Sequence, residues 1–457
     1  MQSKSAAGGL SVPVKIGFAS GDHTVNAALS ALSLFYLFFL TEVAGLRPAL
    51  ASAVLLVGRA VDAFTDPAMG RLSDRTTTRL GRRRPYFLLG ALPFGITFAL
   101  LWQAMPFDAQ WARFAAYSLA YILHSLASTV LSVPYMALLP EMALGYHERT
   151  SLNVYRSAAA VLGTLLAAAL VQPLVESFGG GARGYAEVGI LLGIWFVLPW
   201  IAVYGVSWER PGFAGRTEAG FLEGAKRLAG HRSYRRLVGL YLCARIAVDI
   251  VGAMFLFYFT YWLLRPADFP LMMSILLVTV VASLPFWLRL AKQTDKRTLF
   301  IFGSLWWVGA QLFLLFLQPD WPRAVIFAVA AAAGIGYAVA DLMPWAMLGD
   351  VIDEDELESG ERREGMYAGF FTFLRKLGGA TGVAIAGVVL DLSGFVGGTD
   401  QTETTRTAIR GLTALAPALF LALGAWVALG YTLTRSRHDE IRRALDARNV
   451  SGAERGS

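Results

Sequence analysis

Long apolar stretches separated by short polar segments run along the whole chain. Each stretch holds about 20 residues or more, the length that an α-helix needs to cross the hydrocarbon core of a membrane. The pattern therefore predicts an all-α polytopic membrane protein. Twelve transmembrane helices are expected, at about residues 16–41, 49–72, 85–105, 110–138, 154–177, 187–207, 236–265, 270–291, 298–318, 323–348, 366–392 and 408–434.

The composition of the 457-residue chain leads to the same conclusion. Hydrophobic residues make up 56% of it and charged residues 16%, whereas soluble domains hold about 45–50% and about 25%. This difference excludes a soluble globular protein. The N-terminal segment is polar, and no small-residue cleavage site follows the first apolar run. The first helix is therefore expected to remain as a span.

Basic residues cluster in every second connection between the apolar stretches. They are dense at 72–84, 208–235 and 289–297 and in the C-terminal tail, while the connections near 106–110 and 318–323 hold few. Because cytoplasmic loops are enriched in Lys and Arg, both termini are expected to be cytoplasmic, with the protein in the cytoplasmic (inner) membrane. The net charge of +7 then needs no nucleic-acid partner.

The two halves of the chain resemble each other. The fourth and tenth predicted helices end in related segments, 134–141 and 344–350, and an Asp precedes an aromatic run in both the first and the seventh helix. Such repeats, with a site at their interface, are typical of secondary transporters. The expected organisation is an N-terminal six-helix bundle (1–207), a cytoplasmic connection (208–235), a C-terminal six-helix bundle (236–434) and a charged, partly disordered cytoplasmic tail (435–457).

Two carboxylates interrupt the second apolar stretch. Asp62 and Asp66 are four residues apart, so they lie on one face of a helix. An ionisable side chain inside a membrane is costly unless it is paired or faces water, which makes it a candidate for function. The pair is expected to bind a coupling cation, Na⁺ or H⁺, with Thr65 and Thr129 as neutral oxygen ligands.

Two alternatives to a metal-cation site stay open. Like charges this close raise one pKa, so Asp62 and Asp66 could share a proton instead. Asp66 could also have only a structural role, capping the helix or pairing with Arg59 or Arg71 near its cytoplasmic end.

Charged residues in three further stretches are candidates for solute binding. Asp22 lies about two turns into the first helix, Arg156 begins the fifth helix, and Lys376 interrupts the eleventh. Asp22 is expected to bind a polar solute; alternatively it pairs with Arg156 or Lys376, and Arg156 reaches only the membrane boundary. Arg375 points about 100° away from Lys376 on a helix, so it is expected to form a gating or interhelical ion pair.

Other buried charges favour structural roles. Arg245 and Asp249 are four residues apart in the seventh helix and are expected to neutralise each other. His124 in the fourth helix is expected to be a hydrogen-bonded core residue rather than a proton carrier. Asp341 in the tenth helix carries no assignment.

Two charged segments at the cytoplasmic side are candidate gates. The first is the basic connection after the second helix, and the second is the acidic run 350–356 after the tenth helix. Opposite charges at one membrane face can lock two bundles together; the alternative is that both segments are solvated loops. The acidic run opposes the positive-inside rule, so topology does not explain it. The gating candidates are Asp74, Arg75, Arg82, Asp350, Asp353 and Arg363.

These motifs resemble a known family. The glycine–aspartate–arginine connection after the second helix resembles the signature of the major facilitator superfamily. More narrowly, the chain is similar to the glycoside–pentoside–hexuronide:cation symporters, of which the melibiose permeases are reference members. The resemblance runs from residue 16 to about 395 and is carried by 62–70 with 81–85, 134–138, 344–353 and 362–378.

The resemblance implies the major facilitator fold and roles for several residues. Asp62, Asp66 and Thr129 match sodium-site oxygens of the melibiose permeases, and Thr65 stands where those proteins have an asparagine ligand. Asp22, Arg156 and Lys376 match sugar-contacting or charge-network positions. The chain differs at Ser132 and Met136, where the melibiose permeases have a sugar-binding Asp and a stacking Trp. Galactoside binding is therefore not expected.

The sequence thus predicts a cation-coupled symporter that works by alternating access. The expected solute is a glycoside, a hexuronide or a related small molecule. The alternatives are a sodium-dependent lysophospholipid transporter of the same family or, from another class, a membrane sensor or enzyme. No metalloprotease or serine-hydrolase motif is present and the five histidines are scattered, so no enzyme activity is expected. No cofactor besides the coupling ion is expected, membrane lipids are the expected surroundings, and the protein is expected to be monomeric.

Overall fold

A computed structural model describes residues 10–143, 146–210, 226, 228–361 and 363–456, without the side chains of Tyr146 and residues 449–456. Arg362 and most of the predicted connection 208–235 lie outside the described residues. Helices account for nearly all of the described chain, which confirms the all-α prediction.

The described helices follow the predicted spans closely. The first and seventh helices each continue into π-helical turns, at Leu32–Tyr36, Phe39–Val43 and Tyr258–Trp262, and a 3₁₀ turn at Pro266–Asp268 precedes the eighth. The helices are α1 (Val12–Ala31), α2 (Pro48–Arg75), α3 (Arg84–Leu101), α4 (Gln110–Met142), α5 (Tyr146–Ser177), α6 (Gly181–Val206), α7 (Arg232–Phe257), α8 (Phe269–Ala291), α9 (Lys296–Phe313), α10 (Arg323–Ser359), α11 (Glu364–Leu392), α12 (Glu403–Leu429) and α13 (Arg435–Gly456).

Ten of these helices are long and apolar enough to cross a membrane: α2 to α8 and α10 to α12. The two other predicted spans also form helices, α1 and α9. Many large apolar side chains on the helices are exposed, as expected where lipid rather than water covers the surface. The count of twelve spans and the cytoplasmic placement of both termini stay predictions.

Three helices extend beyond the boundaries predicted from hydropathy. α5 begins at Tyr146, so Arg156 lies almost three turns inside the helix rather than at its start. α10 continues to Ser359, so the acidic run is its last turns and not a loop. Residues 435–456 form α13 instead of a partly disordered tail, because Ile441 and Leu445 are buried. Buried apolar and paired charged residues stabilise these polar helix ends, which hydropathy alone does not detect.

The chain divides into two compact units. The first comprises residues 1–216, 267–271 and 384–405, and the second comprises 217–266, 272–383 and 406–457. In the first unit α1 packs on α5, α2 on α4, and α3 on α6; in the second, α10 packs on α7, α9 and α13. The candidate cation-site and solute-site residues lie in the first unit, except Lys376, which lies in the second.

Close helix contacts in the first unit depend on glycine. A Cβ atom at Gly95 of α3 would lie 2.4 Å from the carbonyl oxygen of Gly193 in α6, and one at Gly193 would lie 2.5 Å from the carbonyl oxygen of Gly95. Small residues allow helix backbones to approach this closely in membranes.

Gly95→Ala is therefore expected to destabilise the protein by about 1–3 kcal/mol, because the clash is with backbone that cannot rotate away. Gly411→Ala on α12 is the matched control, since no atom lies within 4 Å of its added Cβ. Thermal unfolding of the purified proteins in detergent should show a lower midpoint for Gly95→Ala only. Equal midpoints for the two variants would contradict the close contact.

Candidate functional site

Two pairs of acidic and hydroxyl side chains face each other between α2 and α4. The carboxylate of Asp62 accepts a hydrogen bond from the hydroxyl of Ser125, and Asp66 accepts one from Thr129 at 2.7 Å. Both the acids and the hydroxyls are four residues apart, so one helical turn separates the two pairs on each helix. Asp62, Ser125 and Thr129 are buried. The packing of α2 on α4 therefore collects four oxygen-bearing side chains in one place.

Thr65, which precedes Asp66 on α2, offers a further side-chain oxygen. Its hydroxyl oxygen is buried and has no hydrogen-bond partner among the described residues. Buried polar atoms are normally satisfied, so an unpaired one indicates a ligand or water. Arg59 lies one turn before Asp62, with its guanidinium 3.6 Å from that carboxylate. Carboxylates with neutral oxygens suit a hard cation.

A second polar cluster joins α1, α4 and α5. Arg156 donates to both carboxylate oxygens of Asp22, at 2.6 and 3.0 Å, and the hydroxyl of Tyr135 donates to Asp22 at 2.5 Å. The guanidinium of Arg156 also lies 5.1 Å from the ring centre of Tyr135. This arrangement is the predicted alternative in which Asp22 pairs with Arg156.

Other predicted solute-site residues lie around this ion pair. Arg156 donates to Asn153 at 3.2 Å and contacts the sulfur of Met136 at 2.8 Å. The side chain of Met136 is 57% exposed, so it presents an apolar surface next to the guanidinium. Ser132 lies one turn earlier on α4 and is half-buried. The structure thus brings Asp22, Met136 and Arg156 together.

The second unit contains the remaining charged residues of the predicted site. Arg245 and Asp249 form a two-bond ion pair within α7, as their spacing predicts. Lys376 on α11 is half-buried. The guanidinium Nε of the adjacent Arg375 is buried without a hydrogen-bond partner among the described residues. The expected ion pair of Arg375 is therefore not found in the part of the chain that the structure describes.

The basic candidate gate forms a network within the first unit. Asp74 pairs with Arg83 at 2.6 Å, and Arg82 and Arg83 both pair with Glu141, at 2.9 and 2.6 Å. Glu141 is only 1% exposed. Arg75 is exposed at the end of α2. The predicted gating residues Asp74 and Arg82 thus meet around an acid that sequence reasoning missed.

Glu209 caps the first turn of α3. Its carboxylate accepts hydrogen bonds from the backbone N–H groups of Arg82, Arg83 and Arg84, at 2.7, 2.8 and 3.0 Å. Burial by itself raises the pKa of Glu209, but these three donors and the guanidinium of Arg82 outweigh it, so the pKa lies below its usual value. An anion at a helix N-terminus is also favourable.

Glu209→Gln is expected to lower stability by about 0.5–2 kcal/mol at pH 7, the usual effect of losing a helix cap. Because the folded-state pKa is lowered, this contribution is complete above the unfolded-state pKa and is lost as pH falls through the folded-state pKa. The melting temperatures of wild type and variant should therefore converge below about pH 4. A difference that stays constant from pH 7 to pH 3.5 would contradict the role of the charge.

The acidic candidate gate is paired within the second unit. Asp350 pairs with Lys296 at 2.6 Å, Asp353 with His438 of α13 at 3.1 Å, and Arg363 with Asp355 at 3.2 Å. The acidic turns of α10 therefore anchor α9, α13 and the start of α11. These contacts with other segments explain why a run of acidic residues can remain helical there.

Ser125, Tyr135 and Glu141 are among the residues described above that had no predicted role. Ser125 precedes Thr129 by four residues, which matches the spacing of Asp62 and Asp66, so this signal was present in the sequence. Nothing in the sequence distinguished Tyr135 or Glu141 as partners. His124 is a buried core residue against Phe94 and 3.2 Å from the hydroxyl of Thr97, in agreement with its prediction.

Comparison with known proteins identifies the family. The family model described as MFS/sugar transport protein matches residues 17–435. YagG of Escherichia coli (strain K12), which carries the provisional name of a glycoside/cation symporter, is 30% identical over 443 residues, 95% of each chain. The sodium-dependent lysophosphatidylcholine symporter 1-A of Danio rerio is 26% identical over 468 residues, 94% of this chain and 87% of the relative.

A solved structure shows the same fold. The crystal structure of a D-xylose-proton symporter matches with a TM-score of 0.66 at 14% identity, over 92% of this chain and 98% of that one. The protein is a multi-pass transporter of the inner membrane and not an enzyme. The resemblance found in its motifs is confirmed, and the chain belongs to the MFS/sugar transport protein family.

Proposed function

We propose that this protein is a cation-coupled symporter that carries a glycoside, a hexuronide or a related solute by alternating access. The observation that carries the coupling proposal is the pair of acid–hydroxyl contacts between α2 and α4. The names of the two relatives, one a glycoside/cation symporter and the other sodium-dependent, support the same activity. Na⁺ is the cation that we favour, because hydroxyl ligands serve a metal ion and a proton does not need them.

In this proposal Asp62, Asp66, Thr65 and Thr129 bind the cation. A cation between Asp66 and Thr129 would replace the hydrogen bond that now joins them and attach α2 to α4 through its ligands. α4 also carries Tyr135, which holds Asp22. Ordering of α4 by the cation would therefore increase the affinity for a solute at Asp22. A bound solute would increase the affinity for the cation by the same free energy.

The proposed solute site in the first unit consists of Asp22, Ser132, Met136 and Arg156, and Lys376 of the second unit remains a solute-binding candidate by resemblance. Without a solute, Arg156 donates hydrogen bonds to both carboxylate oxygens of Asp22. A solute hydroxyl must therefore compete with Arg156 for Asp22, and a solute anion must compete with Asp22 for Arg156. Met136 supplies an apolar surface instead of an aromatic ring. In this proposal the candidate gates exchange ion-pair partners during the transport cycle. The protein works as a monomer, with both termini in the cytoplasm.

The second candidate function is transport of a lysophospholipid or a similar amphiphile. It is favoured by the exposed side chain of Met136 beside the Asp22–Arg156 pair, because such a solute carries a charged head and an apolar tail. The lysophosphatidylcholine symporter among the relatives points the same way.

Uptake into proteoliposomes tests both functions. The panel consists of glycosides, uronides and lysophospholipids, each with a Na⁺ gradient, a H⁺ gradient or neither. We expect a Na⁺ gradient to stimulate uptake of at least one sugar derivative, and stimulation of lysophospholipid alone would establish the second function. Stimulation by H⁺ alone would replace Na⁺ by a shared proton. Uptake that no gradient stimulates would overturn symport.

A further inference from the structure

The two units repeat the same backbone geometry at a constant shift in numbering. After α1 the chain turns at Gly45, with a φ of 65°, and after α7 it turns at Leu264, with a φ of 55°. The hydrogen bonds around these turns also correspond: Ala44 to Phe39 and Leu263 to Tyr258. Each of these residues after the seventh helix is numbered 219 higher than its counterpart after the first helix. A shift of 219 residues therefore aligns the first helix with the seventh.

The same shift relates α5 to α11. Gly163 of α5 allows close approach to Ala27 of α1, and Gly382 of α11 allows close approach to Ile246 of α7. Both the glycines and their neighbours are 219 residues apart. In this register Arg156 corresponds to Arg375, and Asp22 corresponds to Tyr241.

The two arginines therefore occupy equivalent places with different partners. In the first unit Asp22 neutralises Arg156. In the second unit the equivalent position holds the neutral Tyr241, whose hydroxyl accepts a hydrogen bond from Trp345 at 3.0 Å. The guanidinium Nε of Arg375 is left buried and unpaired among the described residues.

The nearby acids Asp249 and Asp341 do not pair with Arg375 as Asp22 pairs with Arg156. Asp249 is held by both of its oxygens in the ion pair with Arg245. Asp341 lies close enough to Arg375 to interact electrostatically, but no ion pair joins them in the part of the chain described. Arg245 is a second positive charge in this neighbourhood. A guanidinium N–H buried without an acceptor is costly, which favours an acceptor supplied from outside the chain, and an anion is the acceptor that a guanidinium binds best.

We propose that Arg375 binds an anionic group, a carboxylate or a phosphate, on the transported solute. The proposal rests on the proposed function and narrows its solute to a charged one. A guanidinium presents two parallel N–H donors to either anion, and such bonds are about twice as strong as neutral ones. A uronide would supply the carboxylate and a lysophospholipid the phosphate.

An aromatic surface adjoins this guanidinium. Phe371, one turn before Arg375 on α11, stacks on Tyr241 with ring centres 4.3 Å apart. Trp345 of α10 packs edge-on against Phe371 at 5.0 Å and is 40% exposed. A partly exposed aromatic cluster one helical turn from Arg375 matches a solute with an apolar face and an anionic group.

Matched solutes test the proposal on the purified, full-length protein. Binding is measured by titration calorimetry for 4-nitrophenyl β-D-glucuronide against 4-nitrophenyl β-D-glucoside, and for oleoyl lysophosphatidic acid against monooleoylglycerol. The members of each pair differ mainly in the anionic group. We expect wild type to bind the anionic member of one pair at least tenfold more tightly, and the pair that shows this preference identifies the anion as carboxylate or phosphate.

Arg375→Gln should remove that preference while leaving the affinity for the neutral member within about twofold. Tyr241→Asp should also remove the preference, by a different route, because it supplies the carboxylate that Asp22 supplies in the first unit; this variant also decides the matter if Arg375→Gln does not fold. Arg437→Gln on α13, an exposed arginine of the same unit, is the control and should retain the preference.

Two results would overturn the proposal: a wild type without preference in either pair, or an unchanged preference in a folded Arg375 or Tyr241 variant. Cation-stimulated uptake by the same wild-type preparation separates this failure from failure of the proposed function. If uptake still follows the cation gradient, the proposed symport is retained and only the binding of the anionic group by Arg375 is refuted.

Discussion

Replacement of Asp66 by Asn is expected to shift the stimulation of uptake by a cation gradient to much higher cation concentrations. Asn keeps the shape of the side chain and can still accept the hydrogen bond from Thr129, so the variant removes mainly the negative charge. A contact to a charged group is worth about 1.5–3 kcal/mol, which corresponds to an increase of about tenfold to 150-fold in the half-saturating cation concentration. Asp62→Asn should have the same direction of effect.

The measurement is initial uptake into proteoliposomes as a function of Na⁺ concentration and pH. Asp108→Asn is the matched control, because it removes a carboxylate from an exposed connection of the same unit. All variants should unfold at temperatures close to wild type, so that the shift in stimulation reflects the site. Unchanged Na⁺ and H⁺ dependence in both the Asp62 and the Asp66 variants would refute the cation site.

Removing one partner of the Asp22–Arg156 pair is expected to destabilise the first unit strongly. Arg156→Gln leaves the carboxylate of Asp22 within the helix bundle, where the hydroxyl of Tyr135 is the one other close donor among the described residues. Breaking such a pair costs about 3–5 kcal/mol, most of it from the charge left behind. The double variant with Asp22→Asn leaves no charge and should recover most of the lost stability.

Thermal unfolding of the wild type, both single variants and the double variant measures this coupling. The pair of Arg437 and Glu440 on α13, in which both side chains are more than half exposed, provides the control. Arg437→Gln should change the melting temperature little, since water solvates the remaining carboxylate. A double variant no more stable than Arg156→Gln would show that the two charges do not depend on each other. Uptake should be lost in the double variant even where stability returns.

The cation-site candidates were largely predictable because their pattern is local. Asp62 and Asp66 are one turn apart in an apolar stretch, so both their shared face and their cost in the membrane follow from the sequence. Their partners did not follow in the same way. Thr129 was a candidate as a hydroxyl of the fourth helix, and a resemblance supported it, whereas Ser125 was missed because many Ser residues on a membrane helix have no acid opposite them.

The charged helix ends were the least predictable part of the fold. Hydropathy placed the end of the tenth helix near residue 348, whereas the helix continues to Ser359. Its acidic turns are stabilised by Lys296, His438 and Arg363, which belong to other segments. Local hydropathy contains no information about such partners.

The sequence by itself determined the membrane-spanning helical fold, the family and the paired carboxylates, because apolar length, motif order and helical spacing are all properties of neighbouring residues. Only the tertiary structure decided which charges far apart in the chain neutralise each other. Asp22 and Arg156 are 134 residues apart and meet because α1 packs on α5. The equivalent packing in the second unit places Tyr241, not an acid, in the position of Asp22. The pairing of a buried charge depends on which helices pack together, and that is a property of the fold.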